Sequence, residues 1–217
     1  MSLRNMFLAL FALAITHSAY AGDPKADVMA AVADLQHQWD VIKYQKPKAE
    51  QEAAFKALAE TARQTSQKFP GHAEPLIWEG IILSTYAGAK GGLGALSLVK
   101  EARARLEEAE KIDGQALYGS AYTSLGSLYY QVPGWPVGFG NSNKARSYLE
   151  KALQINPTGL DANYFYGDFL IEEGDYEKAI EALNKALQAP ARPGREIADA
   201  GRRQEAQALL ERAKSQL

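Results

Sequence analysis

The sequence predicts an all-α solenoid of antiparallel helix pairs, with enlarged loops inside some of the pairs, on three observations. Ala145, Leu149, Ala152 and Pro157 recur 34 residues later as Ala179, Leu183 and Ala186, with Pro190 one residue short of register. The same set stands 43 residues earlier as Ala102, Leu106, Ala109 and Gly114. Within each copy the apolar residues fall at helical spacing, and Pro or Gly breaks separate the periodic stretches. A period near 34 is that of a two-helix unit that cannot bury its own apolar face and must stack on copies of itself.

Residues 1–21 stand apart from this pattern. Arg4 gives a positive start, Met6 to Ile15 is a short apolar run, and Ala19-Tyr20-Ala21 precedes Gly22 as a small-residue cleavage signal. The run is too short to span a bilayer. The expectation is a signal peptide cleaved after Ala21 and a periplasmic or secreted product, with 22–217 forming one helical-repeat domain. The chain has no cysteine, so packing alone must stabilise it in a compartment where disulfides are allowed, and no lipid can be attached at the cleavage point.

The elements follow in order. Asp27 to Tyr44 and Lys48 to Phe69 read as a helix pair divided at Lys46-Pro47 and closed by Pro70-Gly71, a repeat of about 25–70. The next, about 73–114, carries Trp78, Ile81 and Thr85 on its first helix and Ala102, Leu106 and Ala109 on its second. The third spans about 118–157. In the fourth, about 160–190, Leu160 to Glu173 is a helix, Gly174-Asp175 a turn, and Tyr176 to Ala189 a second helix with one apolar stripe. Gly167 and Ala179 are small enough to let the two approach closely. After the Pro193-Gly194 break, 195–216 is rich in alanine, arginine and glutamate and suits a terminal capping helix, because an end repeat needs one polar face.

Tyr122, Leu125, Gly126 and Tyr129 match W-x-x-L-G-x-x-Y with Tyr in the Trp place, and with Tyr166, Gly167, Leu170 and the alanine register they make Tyr118 to Ala189 resemble the tetratricopeptide repeat family. A narrower similarity, carried by Pro133-Gly134-Trp135-Pro136 and Asn163-Tyr164-Phe165-Tyr166-Gly167, is to the T-component proteins that accompany tripartite ATP-independent periplasmic (TRAP) transporters. That similarity implies a helical-repeat protein with extra loops and a role in ligand handling, without the anchor cysteine expected there.

Departures from the repeat locate candidate sites. Tyr129 and Ala145 lie 16 positions apart, about seven more than a 34-residue repeat allows. The inserted stretch, from Gln131 to Asn143, holds two prolines and three glycines that forbid a helix, together with Trp135, Phe139 and Asn141. Aromatic rings are costly to leave in water, so the loop either pins itself to neighbouring helices or lines a ligand pocket or an oligomer contact. A second excess lies between Thr85 and Ala102 with Gly88, Gly91, Gly92 and Gly94, which predicts two enlarged loops on one rim. No Lys-Ser/Thr pair follows these glycines and no strand precedes them, so they are a hinge or close contact, not a phosphate cradle.

The resemblance also implies a concave groove lined by the first helices. Carried onto this sequence, its positions are Glu79 and Tyr86, then Thr123, Ser127 and Tyr130, then Tyr164, Asp168 and Glu172. Tyrosine offers a rigid apolar face with a polar tip, suited to peptides or small ligands.

Other functions lack their chemistry. Without residues 1–21 the chain keeps 23 basic and 26 acidic residues, with no basic stripe for nucleic acid. Leu76 to Val99, the longest remaining apolar stretch, is interrupted by Glu79, Lys90 and five glycines and belongs to the solenoid core. Only His37 and His72 remain, on different elements, with no metal-ligand spacing and no G-x-S-x-G elbow. The expectation is a non-enzymatic scaffold, without cofactor or metal, that binds a partner protein or peptide. Its alternative is a small-ligand binder in which the Trp135 loop closes a pocket beside Tyr130 and Tyr164.

Overall fold

A computed structural model describes residues 24–217; the expected signal peptide lies outside the described residues. Nine helices run in succession through them: α1 (Pro24–Tyr44), α2 (Lys48–Lys68), α3 (Ala73–Lys90), α4 (Gly94–Asp113), α5 (Ala116–Gln131), α6 (Ser142–Ile155), α7 (Leu160–Glu172), α8 (Tyr176–Leu187) and α9 (Glu196–Lys214). The boundaries fall where the backbone cannot continue as helix. Pro47 stops α1, and the Gln51 amide closes the turn by donating to the carbonyls of Lys43 and Lys46, both at 3.1 Å. Gly71 and Gly174 take the left-handed conformation that glycine enters without a Cβ clash. Asn141 caps α6, its side chain accepting from the Lys144 amide at 2.9 Å.

The repeat register is visible in the packing. Ala102, Leu106, Ala109, Ala145, Leu149, Ala152, Ala179, Leu183 and Ala186 are all 0% exposed, so the recurring set is the buried seam of the second helices. Opposite each leucine stands a glycine. A Cβ on Gly80 would lie 2.6 Å from Leu106 Cγ, one on Gly126 2.6 Å from Leu149 Cγ, and one on Gly167 2.7 Å from Leu183 Cγ. Three pairs of unequal length are therefore locked by the same knob in the same notch.

This lock corrects the sequence register in α3. Gly80 holds the small-residue position, directly after Glu79, which moves Glu79 off the groove face. The extra residues between Thr85 and Ala102 are mostly helix as well: α3 and α4 are longer, and only Gly91 to Leu93 connects them. Gly91 and Gly92, both at positive φ, make that turn. Of the two enlarged loops expected, the structure contains one, at 132–141.

Each helix packs on the next. The first helices of the pairs, α1, α3, α5 and α7, also pack on one another in succession, and α9 takes the next place in that row. The row then closes, because α9 touches α1. Gly201 lies 34 residues after Gly167, so α9 is the first half of a further repeat, and its notch is filled by the Tyr44 ring of α1 instead of a leucine from a following helix.

Candidate functional site

Two clusters of polar and aromatic side chains stand out. The first is the inner face where α1, α3, α7 and α9 meet. Arg195, at the start of α9, forms a two-pronged bond to Asp40 of α1, donating from Nε at 3.1 Å and from Nη2 at 2.9 Å. Its guanidinium also lies 5.0 Å from the Trp78 ring centre. Two turns further along α9, Arg202 donates to Asp161 at 2.9 Å and to Glu205 at 2.7 Å, and stacks 4.3 Å from Tyr164 and 4.9 Å from Phe165. Arg192 holds the other Asp161 oxygen at 2.7 Å and bonds Asp199. Glu205 also takes Lys43 at 3.3 Å and accepts from the Tyr44 hydroxyl at 3.2 Å.

Arg195 and Arg202 thus each meet a carboxylate and an aromatic face, which gives charge pairing, planar donor geometry and cation–π attraction together. Burial opposes charge on Asp161, yet the Arg202 and Arg192 guanidinia outweigh it and hold the carboxyl down at about 2. At Asp40 burial wins, and the carboxyl sits above its ordinary range despite the Arg195 bond. Burial lifts the Tyr164 phenol to about 12. Trp39, edge-on to Trp78 at 6.1 Å, donates its indole N–H to Thr85 at 2.9 Å.

The second is the 132–141 loop. The Asn141 amide donates to the Tyr129 carbonyl at 2.7 Å and the Gly140 amide to Pro133 at 3.0 Å, which closes the loop on itself and on α5. Phe139 packs edge-on to Tyr129 at 5.5 Å with the Arg103 guanidinium 4.3 Å over its ring. The loop is therefore anchored by Phe139. Trp135 is 91% exposed and Val137 56%.

The remaining expected site residues divide. The structure brings Tyr130 and Asp168 together, the hydroxyl donating to the carboxylate at 2.7 Å, and burial raises both groups. Tyr164 stands instead with Arg202. Thr123 and Tyr86 are buried, and Ser127 is half-buried. Glu79 is buried between helices, 3.3 Å from Arg105, and serves the packing of α3 on α4. Glu172 pairs with Arg212 at the surface, at 2.6 Å. Trp135 does not join Tyr130 or Tyr164, so no pocket closes there. Asn141 acts as a helix cap.

Asp40, Trp78, Asp161, Arg195 and Arg202 were missed as site residues by sequence reasoning, although a signal existed. Adding 34 to Asp161 and Asp168 lands on Arg195 and Arg202, so the repeat positions that α7 fills with aspartates carry arginines just before α9 and two turns along it. Among the described residues no cluster of His, Asp or Glu could hold a metal ion, and no helix is long and apolar enough to cross a membrane.

Residues 137–195 match the family model described as Tetratricopeptide repeat, in keeping with the paired helices of that stretch. Three solved structures are similar to the chain. A crystal structure of MamA is 21% identical, covers 78% of this chain and 92% of its own, and has a TM-score of 0.44. A second of MamA protein is 18% identical, covers 88% and 92%, and also scores 0.44. A thermophilic TPR protein in Thermus thermophilus is 13% identical, covers 86% and 100%, and scores 0.40. No curated protein matches the sequence.

Proposed function

We propose that the chain is an exported, non-catalytic tetratricopeptide scaffold that holds a partner protein or peptide. The observation that carries this is Trp135, presented to solvent on a loop whose other aromatic residue and backbone bonds are already committed to the scaffold. A rigid, exposed indole loses little conformational freedom on binding and is the residue type that most often dominates an interface. Stacked repeats supply the frame, and proteins built from them are typically interaction scaffolds.

The small-ligand alternative gains no support, because the loop is turned to water and the Tyr130 hydroxyl is bonded to Asp168. The test is capture of partners by the mature protein from an extract of its own compartment, with the wild type beside Trp135→Ala. The expected result is loss of the captured protein with helicity unchanged. Equal capture by both forms would remove Trp135 from the interface. Export is checked separately by N-terminal sequencing of the mature protein, which should begin at Gly22.

A further inference from the structure

The closure between α1 and α9 is polar where the seams within the helix pairs are apolar. α1 meets α9 chiefly through Arg195 on Asp40, Lys43 and Tyr44 on Glu205, and the Tyr44 ring in the Gly201 notch. Asp40 and Arg195 are both secluded, with side chains 2% and 12% exposed. Intact, such a pair is held by its two-pronged bond; with either member removed it leaves a desolvated charge that must be hydrated by opening the contact. Val28, Val32 and Leu35 of α1 are buried, and α1 packs on α2 and α3 as well as on α9.

The wall beneath Arg195 is also a complete receptor for a guanidinium. Asp40 supplies both carboxylate oxygens and Trp78 an aromatic face; at Arg202, by contrast, Asp161 supplies one oxygen and gives the other to Arg192, beside the Tyr164 and Phe165 rings. Resting on the scaffold reading above, we infer that Arg195 is an internal stand-in for a partner's arginine. The α1–α9 closure keeps the inner wall shut until a cationic partner segment that presents an arginine displaces it. The partner class follows from the wall's chemistry: a planar cation that can be gripped by a carboxylate while stacking on an indole.

The test uses the whole mature chain and a fluorescently labelled helical peptide carrying one arginine, with its Arg→Gln version as control. Arg195→Gln should accelerate amide exchange in α1 around Trp39 to Tyr44 and raise affinity for the arginine peptide at least tenfold at low ionic strength. Asp40→Asn should accelerate exchange equally but give no gain in affinity, because it opens the contact and removes the receptor together. Arg195→Lys keeps the charge, loses the two-pronged bond and preserves folding, and should give a smaller gain of several-fold. Unchanged affinity in both Arg195 variants overturns the inference, as does an equal gain in Asp40→Asn or for the control peptide. If the peptide gains nothing while partner capture persists, the closure is purely structural and the scaffold reading stands. If no form captures any partner, the reading on which the inference rests is overturned with it.

Discussion

The α1–α9 closure and the 132–141 loop are built from the same parts and end in opposite states. Both set an arginine over an aromatic ring, Arg195 at 5.0 Å from Trp78 and Arg103 at 4.3 Å from Phe139. At the closure every large group is drawn inward, and Trp39 and Trp78 are each 5% exposed. In the loop, one ring is spent as an anchor so that another, Trp135, can stand in water. What separates them is the backbone: helices carry the closure residues to a shared wall, whereas the loop, with its prolines and glycines, rests on α5 through Phe139 and leaves Trp135 in solvent. A tryptophan in a repeat protein is therefore core or contact according to the element that bears it.

The comparison can first be broken at the frame both regions share. Leu149 is fully buried against Gly126 and fixes α6 on α5, from which the loop departs. Leu149→Ala should cost about 4 kcal/mol through lost burial and the cavity left behind, measured by urea unfolding. A cost below about 1 kcal/mol would mean that the repeat lock is not what holds the pairs.

Next in size is the closure itself. Asp40→Ala leaves the secluded Arg195 guanidinium without its carboxylate and should destabilise by about 2 kcal/mol, part of the usual penalty being relieved because the contact can open to water. Acid sharpens the same point. Asp161 is held at about 2, below its ordinary 3.8, so its contribution is fully present above the ordinary value and fades as pH falls from about 4 toward 2. Asp40, raised by burial, contributes with the opposite sign and favours folding as it protonates. Unfolding titrations of Asp161→Asn should therefore lose acid-side slope between about pH 4 and 2. An unchanged slope would show that the Arg192 and Arg202 contacts do not bind Asp161 as described.

Within the loop the anchor should matter more than the tip. Phe139→Ala loses a half-buried ring with its Tyr129 and Arg103 contacts and should cost about 1 to 2 kcal/mol, read from the same denaturation curves. If Phe139→Ala is neutral, the loop is held by its backbone bonds alone.

Much of this was legible before any coordinates. The alanine and leucine register marked the buried seam because a second helix touches its partner every turn, and the proline and glycine breaks marked helix ends because they remove a donor or reverse φ. The groove position given to Glu79 fails because Gly80, the next residue, is the one opposite Leu106, while the Trp78 side chain serves the closure. The extra residues before Ala102 gave no sign that they would lengthen two helices, since glycine at a turn looks the same in a long loop and in a tight one. The closure was illegible for a different reason: Asp40 and Arg195 are 155 residues apart, and only superhelical curvature, a sum of small angles between repeats, brings them together. Phe139 and Trp135 could not be told apart by residue type, because a loop's anchor and its tip are set by which one finds a neighbouring ring.

The smallest structural effect belongs to that tip, and it gives a direct optical check. Of the three tryptophans, Trp39 and Trp78 are each 5% exposed and Trp135 is 91% exposed, so acrylamide should quench a single emitting population and leave the other two largely protected. Trp135→Tyr should abolish the quenchable, red-shifted component while changing stability by less than about 0.5 kcal/mol, as expected for a surface change that breaks no contact. If the accessible fraction survives the substitution, one of the closure tryptophans is exposed in solution, and α1 stands open without any partner. If the fraction is absent from the wild type, Trp135 is covered, and titrating protein concentration then tells whether a second copy of the chain covers it.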